Sequence, residues 1–357
     1  MAEERNRCQK GLTMRTEQVN KEKATRKRAE ELKAGGFIPQ RQKGKVALRC
    51  KAPGGRVTSE RLERIAEVAR KYGRGIVHLS VRMSPEILYV DLDDLDKAVA
   101  ELAEVGQEIA SCGKRFRVTT ACGGCEYNPN GWTDTQRLAE EATRQFFGQD
   151  TPHKFKTAFS GCPIDCMRTR EMDLGFQGMV EPELVAENCT GCTLCVKACQ
   201  DDALRMGDDD LPARDLDKCI SCGDCIKVCP FDAMVPKRIG HAVYVGGKHG
   251  KHPHVAYPMA EFVPDELVLD VIEATLAWYC ENGKKGERIG DTIDRVGIDS
   301  YRAALKKVVE ESLLTGADLR KPRWRRTFYR GVADAFPRYG DIEQTEVASG
   351  ATTRQDD

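Results

Sequence analysis

Cysteines repeat in this chain at a spacing that leaves little choice of local structure. Cys189-x2-Cys192-x2-Cys195-x3-Cys199 is followed by Cys219-x2-Cys222-x2-Cys225-x3-Cys229-Pro230. Three thiolates at this spacing wrap one corner of a cubane [4Fe-4S] cluster, and the fourth in each run crosses to the other cluster. One cluster then takes Cys189, Cys192, Cys195 and Cys229, and the other takes Cys219, Cys222, Cys225 and Cys199. The first run ends in Gln200, where proline is usual. A pair of zinc knuckles is the alternative, but zinc sites rarely use eight thiolates in an interlocked spacing and more often recruit histidine. A module of this kind carries electrons and does no substrate chemistry by itself. Its residues, 185–236, break the composition of the chain on either side and read as an insert.

The chain has 16 cysteines in 357 residues, and most fall in tight clips rather than in a disulfide framework. That usage implies a reducing compartment, and the cytoplasm is expected. The stretch Met1-Ala2-Glu3-Glu4-Arg5-Asn6-Arg7 leads into no apolar segment, so no secretory leader is expected. No run reaches the ~18–20 apolar residues of a membrane span. Lys+Arg and Asp+Glu both number 56, so bulk charge does not call for nucleic acid. Residues 1–44 are polar and basic around Lys23-Ala24-Thr25-Arg26-Lys27-Arg28. Lacking interleaved aromatics, this arm suits a solvated helix face or packing arm better than a nucleic-acid contact.

From residue 45 the pattern becomes regular. Residues 45–50 read as a strand. Thr58 or Ser59 caps a helix whose apolar face is Leu62, Ile65, Ala66 and Ala69, and Gly73 stops it. Residues 75–81 and 86–91 read as strands, Leu95, Val99 and Leu102 mark a second helix, and 115–120 a last strand. The order β-α-β-β-α-β is that of a ferredoxin-like split βαβ unit. Beyond it, 131–147 reads as a helix capped by Thr133, and 154–160 as a strand. After the insert, 241–245 resumes as a strand, and helices are expected over 264–280, 287–296 and 300–314. The chain closes with a basic stretch at Lys321–Arg326 and a polar tail from 341.

Two further cysteine clips flank the strand at 154–160. Cys122 and Cys125 sit in Ala121-Cys122-Gly123-Gly124-Cys125, and Cys162 and Cys166 in Ser160-Gly161-Cys162-Pro163-Ile164-Asp165-Cys166. Spacing alone leaves open structural zinc, a plain relay cluster and a cluster coupled to another group. The surroundings favour the last. Lys154 and Lys156 alternate on one strand and so point to one face. Arg82, Arg115 and Arg117 lie near the ends of expected strands. Several cations converging beside a metal centre make an anion pocket, so the inference rests on the set rather than on any one residue.

Together these residues resemble the siroheme-dependent sulfite and nitrite reductases, and most closely the anaerobic or dissimilatory sulfite reductase branch with an inserted two-[4Fe-4S] ferredoxin domain. The resemblance spans roughly 45–315. Leu48-Arg49-Cys50-Lys51-Ala52-Pro53-Gly54-Gly55 is similar to the family's basic-x-P-G-G strand, and His78-Leu79-Ser80-Val81-Arg82 to its H-L-T-T-R strand. Lys154-Phe155-Lys156-Thr157, the clip at 160–166 and the helical segment from Glu281 through Gly286-Glu287-Arg288 to Gly297 also match.

The resemblance implies an α+β fold: a ferredoxin-like half-domain at 45–120, and a siroheme/[4Fe-4S] domain in two parts, 121–184 and 237–315, split by the ferredoxin insert. A basic segment and tail follow at 316–357. It further implies siroheme bridged to a [4Fe-4S] cluster through Cys166, three such clusters in all, and reduction of sulfite to sulfide. Arg49, Lys51, Arg117, Lys154 and Lys156 would face the substrate anion, and Arg82, Arg115 and Lys248 the siroheme carboxylates. The family's first clip is usually C-x5-C, which would put a cysteine at Asn128; here Cys125 is expected to supply that thiolate from a rearranged loop, failing which the cluster is incomplete or differently ligated. No G-x-G-x-x-G follows a strand, so electrons are expected from a partner protein or ferredoxin. One half-domain cannot enclose siroheme as a two-half chain does, so a homo- or hetero-oligomer is expected. The rival readings are nitrite reduction on the same cofactors and a non-catalytic electron-transfer paralogue.

Overall fold

The structure is a computed structural model that describes residues 31–315. The basic run at Lys23–Arg28 and the segment 316–357 lie outside the described residues. Among those described, no helix is long and apolar enough to cross a membrane.

The N-terminal unit is a four-stranded antiparallel sheet covered by two helices. Its strands are β1 (Phe37–Pro39), β2 (Lys45–Arg49), β3 (Val77–Leu79) and β4 (Pro85–Asp91), in the order β1-β2-β4-β3. Helix α1 (Ser59–Tyr72) starts where the sequence places it, because the Thr58 side chain accepts from the amide of Arg61. It buries Ile65, Val68 and Ala69, while Leu62 stays 48% exposed. Helix α2 (Leu95–Ala103) adds Leu95, Ala98 and Leu102 to the same core, against Val46, Leu48 and Ile87 of the sheet. The α1 crossover joins β2 to β3 with β4 between them, which is the split βαβ arrangement.

Two details differ from the expected pattern. Strand β1 falls inside the stretch read as a polar arm, where Phe37 and Ile38 form a short apolar pair, and it pairs with Ala47 and Leu48 of β2. Residues 115–120 do not close the first sheet. Phe116 bridges to Phe155, and β5 (Thr120–Ala121) pairs with β6 (Thr157–Ser160). The reason is packing: the Phe116 ring stacks on Phe155 and tilts against Phe146, each at 5.7 Å, in the second core.

That second core surrounds a five-stranded mixed sheet of order β11-β10-β7-β6-β5. Strands β5, β6 and β7 (Leu174–Leu184) run parallel, while β10 (Met234–Val245) and β11 (Tyr257–Val263) are antiparallel to their neighbours. Two helices lie between β5 and β6 in the chain, α3 (Gly124–Tyr127) and α4 (Thr135–Phe146). Leu138, Ala139, Ala142 and Phe146 turn one face of α4 onto the sheet, and Asp134 rather than Thr133 caps it. Helices after β11 complete the cover. Numbered in chain order after those of the insert, they are α7 (Val268–Asn282), α8 (Ile289–Val296) and α9 (Ile298–Leu305). The last is shorter than expected because the chain turns back to the sheet edge, where Leu314 bridges Ala260 and Thr315 donates to Met259.

The insert holds α5 (Leu194–Ala198), the hairpin of β8 (Leu204–Met206) and β9 (Pro212–Arg214), and α6 (Asp224–Lys227). It sits at the tip of the β7–β10 pair, which stays in antiparallel register from Leu174↔Val245 to Leu184↔Met234 with one irregularity near Pro236.

Candidate active site

Strand β6 carries the site. Its approach holds Lys154 and Lys156, its four buried residues Thr157–Ser160 cross the sheet, and its end delivers the second cysteine clip. The clip is shaped by one carboxylate. Asp165 adopts a left-handed φ of 56°, and its Oδ1 accepts from Ser160 Oγ at 2.9 Å, Thr169 N at 2.9 Å and Thr169 Oγ1 at 2.8 Å. The first clip presses against it: a Cβ on Gly161 would stand 2.7 Å from the Cα of Gly124. Cys122 Sγ accepts the amides of Gly161 at 3.1 Å and Gly124 at 3.4 Å.

The four clip cysteines divide in two pairs. Cys162 is buried and Cys122 half-buried, whereas Cys125 and Cys166 are exposed. Burial, then the neighbouring Cys122 and Cys166 thiols, push Cys162 up, so these three lie within one electrostatic neighbourhood. Cys125, on the single turn α3, is pushed up by burial and by the carboxylates of Asp134, Asp265 and Glu126. Asn128 closes that turn, its amide donating to Gly124 O at 3.3 Å.

The basic residues sort into two groups. Arg82, Arg117, Lys154 and Lys156 converge. Burial lowers each of them, and neighbouring positive charge lowers them further. Arg82 falls to about 10 and Lys156 to about 8. Among the described residues the side chains of Arg82, Lys154 and Lys156 make no hydrogen bond or ion pair, whereas Arg117 donates through Nη1 to Ser111 O at 3.1 Å and through Nη2 to Gly113 O at 2.7 Å, leaving its buried Nε without a partner. Arg49 adds charge to Arg82 and Arg117 while bonded to Glu86 at 2.7 Å and to Cys112 Sγ at 2.9 Å. Lys51, Arg115 and Lys248 stand apart, each held by a carboxylate: Glu108, Asp150 (3.0 Å) and Asp291 respectively.

Two residues of the site stand outside the set expected from the sequence. Asp173 is fully buried, and Arg288 meets it with two bonds of 2.8 and 2.7 Å. This pair backs the cation cluster, because the Asp173 carboxylate also accepts the amide of Lys156 at 2.9 Å and Arg288 adds its charge to Lys154 and Lys156. Only the Gly286-Glu287-Arg288 motif points toward it.

In the insert, Cys189, Cys192, Cys195 and Cys229 line one small apolar cavity with Met206, Phe231 and Met234. Burial pushes Cys225 up to about 12, and the next contributors are Cys219, Cys199 and Cys195. Among the described residues, no three His, Cys, Asp or Glu side chains converge closely enough to hold a single metal ion.

Comparison with known proteins decides the family. The profile of the nitrite and sulphite reductase 4Fe-4S domain matches residues 112–313, and that of the nitrite/sulfite reductase ferredoxin-like half domain matches 38–105. The chain belongs to the nitrite and sulphite reductase family. Within it, this member is 32% identical over 281 residues to the coenzyme F420-dependent sulfite reductase of Methanocaldococcus jannaschii, covering 78% of this chain and 45% of that one. It is 30% identical over 176 residues to one subunit of the anaerobic sulfite reductase of Salmonella typhimurium, covering 45% of this chain and 52% of the other. It therefore spans about half the length of these two relatives. The crystal structure of dissimilatory sulfite reductase I superposes with a TM-score of 0.63 at 19% identity, over 87% of this chain and 76% of the other, a likeness of fold.

Proposed function

We propose that this reductase-family chain is a siroheme-dependent sulfite reductase of the anaerobic or dissimilatory kind, reducing sulfite to sulfide with six electrons. The observation that carries the reading is the cluster of Arg82, Arg117, Lys154 and Lys156, in which Arg82, Lys154 and Lys156 have no bonded protein partner and the nearby Asp173 is already engaged by Arg288. Unpaired, half-buried cations are costly unless a ligand neutralises them. A tetrapyrrole bearing several carboxylates, together with an oxyanion substrate, would supply that charge. The residues present fit the group.

Cys166, exposed at the end of the second clip, is the proposed bridge to the siroheme iron, with Cys122, Cys125 and Cys162 completing the cluster. Siroheme and its cluster would supply the redox chemistry. The chain's own side chains bind and protonate. Arg82 and Arg117 orient anionic groups by charge-assisted hydrogen bonds. Lys156, lowered to about 8, holds a proton at Nζ that it can donate near neutral pH as oxygen leaves sulfite as water. Electrons would arrive through the two insert clusters from a donor protein or ferredoxin, and a second subunit would complete the enclosure.

The test is the visible spectrum and iron content of anaerobically purified protein. Siroheme bands with about twelve cluster irons are expected, and eight irons with no tetrapyrrole would leave only an electron-transfer protein. Stoichiometric sulfide from sulfite with a reduced dye is expected; ammonium formed faster from nitrite would replace sulfite by nitrite as the substrate.

A further inference from the structure

One indole joins the insert to the catalytic clip. Trp132 lies in the loop between α3 and α4, and its backbone amide donates to Gly161 O at 2.8 Å, next to Cys162. Its side-chain Nε1 donates to Cys222 O at 2.8 Å, the backbone of a cysteine in the second insert run. The ring is seated rather than merely adjacent. Gly223 has φ of 78°, and a Cβ there would stand 2.3 Å from Trp132 Cζ2 and 2.6 Å from Val180 Cγ1. Lys227 covers the indole at 5.3 Å and donates to Asn130 Oδ1 at 2.9 Å. Ser221 O accepts the amide of Val180 at 3.0 Å, a further tie between insert and sheet.

We propose that Trp132 is a positioning residue for electron transfer, fixing the inner insert cluster against the clip and linking their ligands through two hydrogen bonds. The inference rests on the function proposed above. The path runs from the Cys222 carbonyl through the indole and the Trp132 backbone to the carbonyl of Gly161 and on to Cys162. In each event the inner cluster is oxidised by one electron and the clip cluster is reduced by one. No bond to carbon forms and the indole stays in its resting state. The electron originates in a low-potential one-electron carrier protein that reduces the insert.

The experiment uses the whole holoprotein with two replacements. Trp132→Phe removes the N–H and one ring, and substitution by 3-benzothienylalanine keeps the bicyclic shape and removes only the N–H. Dipolar EPR between reduced clusters reports their separation, and flash reduction reports transfer from insert to clip. Both variants should retain wild-type iron, and transfer from insert to clip should slow severalfold. Turnover with a small dye that reduces the clip directly should be unchanged, while turnover with the carrier protein should fall. Transfer at the wild-type rate in the benzothienyl protein would overturn the proposal. A wild-type protein without a clip cluster would instead overturn the function proposed above, a result visible before any variant is made.

Discussion

Asp173 and Arg288 form a two-pronged ion pair closed to solvent, with Nε–Oδ1 at 2.8 Å, Nη2–Oδ2 at 2.7 Å and a carboxylate that is 0% exposed. It ties the start of α8 to the β6–β7 strands just where the cations gather. Removing one partner strands a buried charge. Arg288→Leu should therefore cost about 3–5 kcal/mol in urea unfolding of the cofactor-free protein. Adding Asp173→Asn to that variant should recover part of the loss. A single variant within about 0.5 kcal/mol of wild type would show that the pair is not structural.

Lys156, if it faces the anion as proposed, should make anion binding depend on pH. Burial first, and then the charges of Arg82 and Arg288, lower it to about 8. Sulfite affinity should weaken as pH rises through about 8, because Nζ loses its charge there. Calorimetric titration from neutral to mildly alkaline pH measures this, and Lys156→Met should flatten the profile. Stability of the anion-free protein should move the other way. Between about 8 and the ordinary lysine value of 10.5 the unfolded chain binds more protons, so stability rises with pH across that window.

Asp165 fixes the turn between Cys162 and Cys166. Asp165→Ala deletes an acceptor of three hydrogen bonds and puts alanine at a left-handed φ, so it should cost about 2–3 kcal/mol. Asp165→Asn keeps an amide oxygen and a residue tolerant of that φ, and should cost less than half as much. Equal losses in the two variants, read from thermal unfolding, would sink this account.

The proposed clip ligands should separate by iron content. Cys122→Ser, Cys162→Ser and Cys166→Ser should each lose about four irons while the insert keeps about eight. Cys125→Ser should do the same, and full iron in that variant would assign the fourth ligand elsewhere. A Cys166→Ser protein with an unaltered siroheme–cluster spectrum would show that another thiolate makes the bridge.

What the sequence discloses here follows the range of each interaction. The Thr58 cap, the 3.6-residue stripe of α1 and the alternation of Lys154 and Lys156 are local, and each is readable in a window of a few residues. Residues 115–120 read as a strand, but the sheet they join depends on Phe116 finding Phe155 and Phe146. Lys51, Arg115 and Lys248 look in sequence like Arg82 and Lys154. Only the fold shows that Glu108, Asp150 and Asp291 occupy them. Asp173 and Arg288, 115 residues apart, give no signal as a pair.

The long β7–β10 ladder has a consequence for how the insert is carried. Leu184 and Met234 face each other as the closing pair of a hairpin, and the insert hangs between them as its loop. Lengthening a hairpin loop adds little closure entropy, about 0.6 kcal/mol per doubling. The scaffold on the near side keeps its register whether the loop is a tight turn or a module with eight cysteines. The sheet thus carries the module as a loop, and what seats that loop is the set of contacts around Trp132.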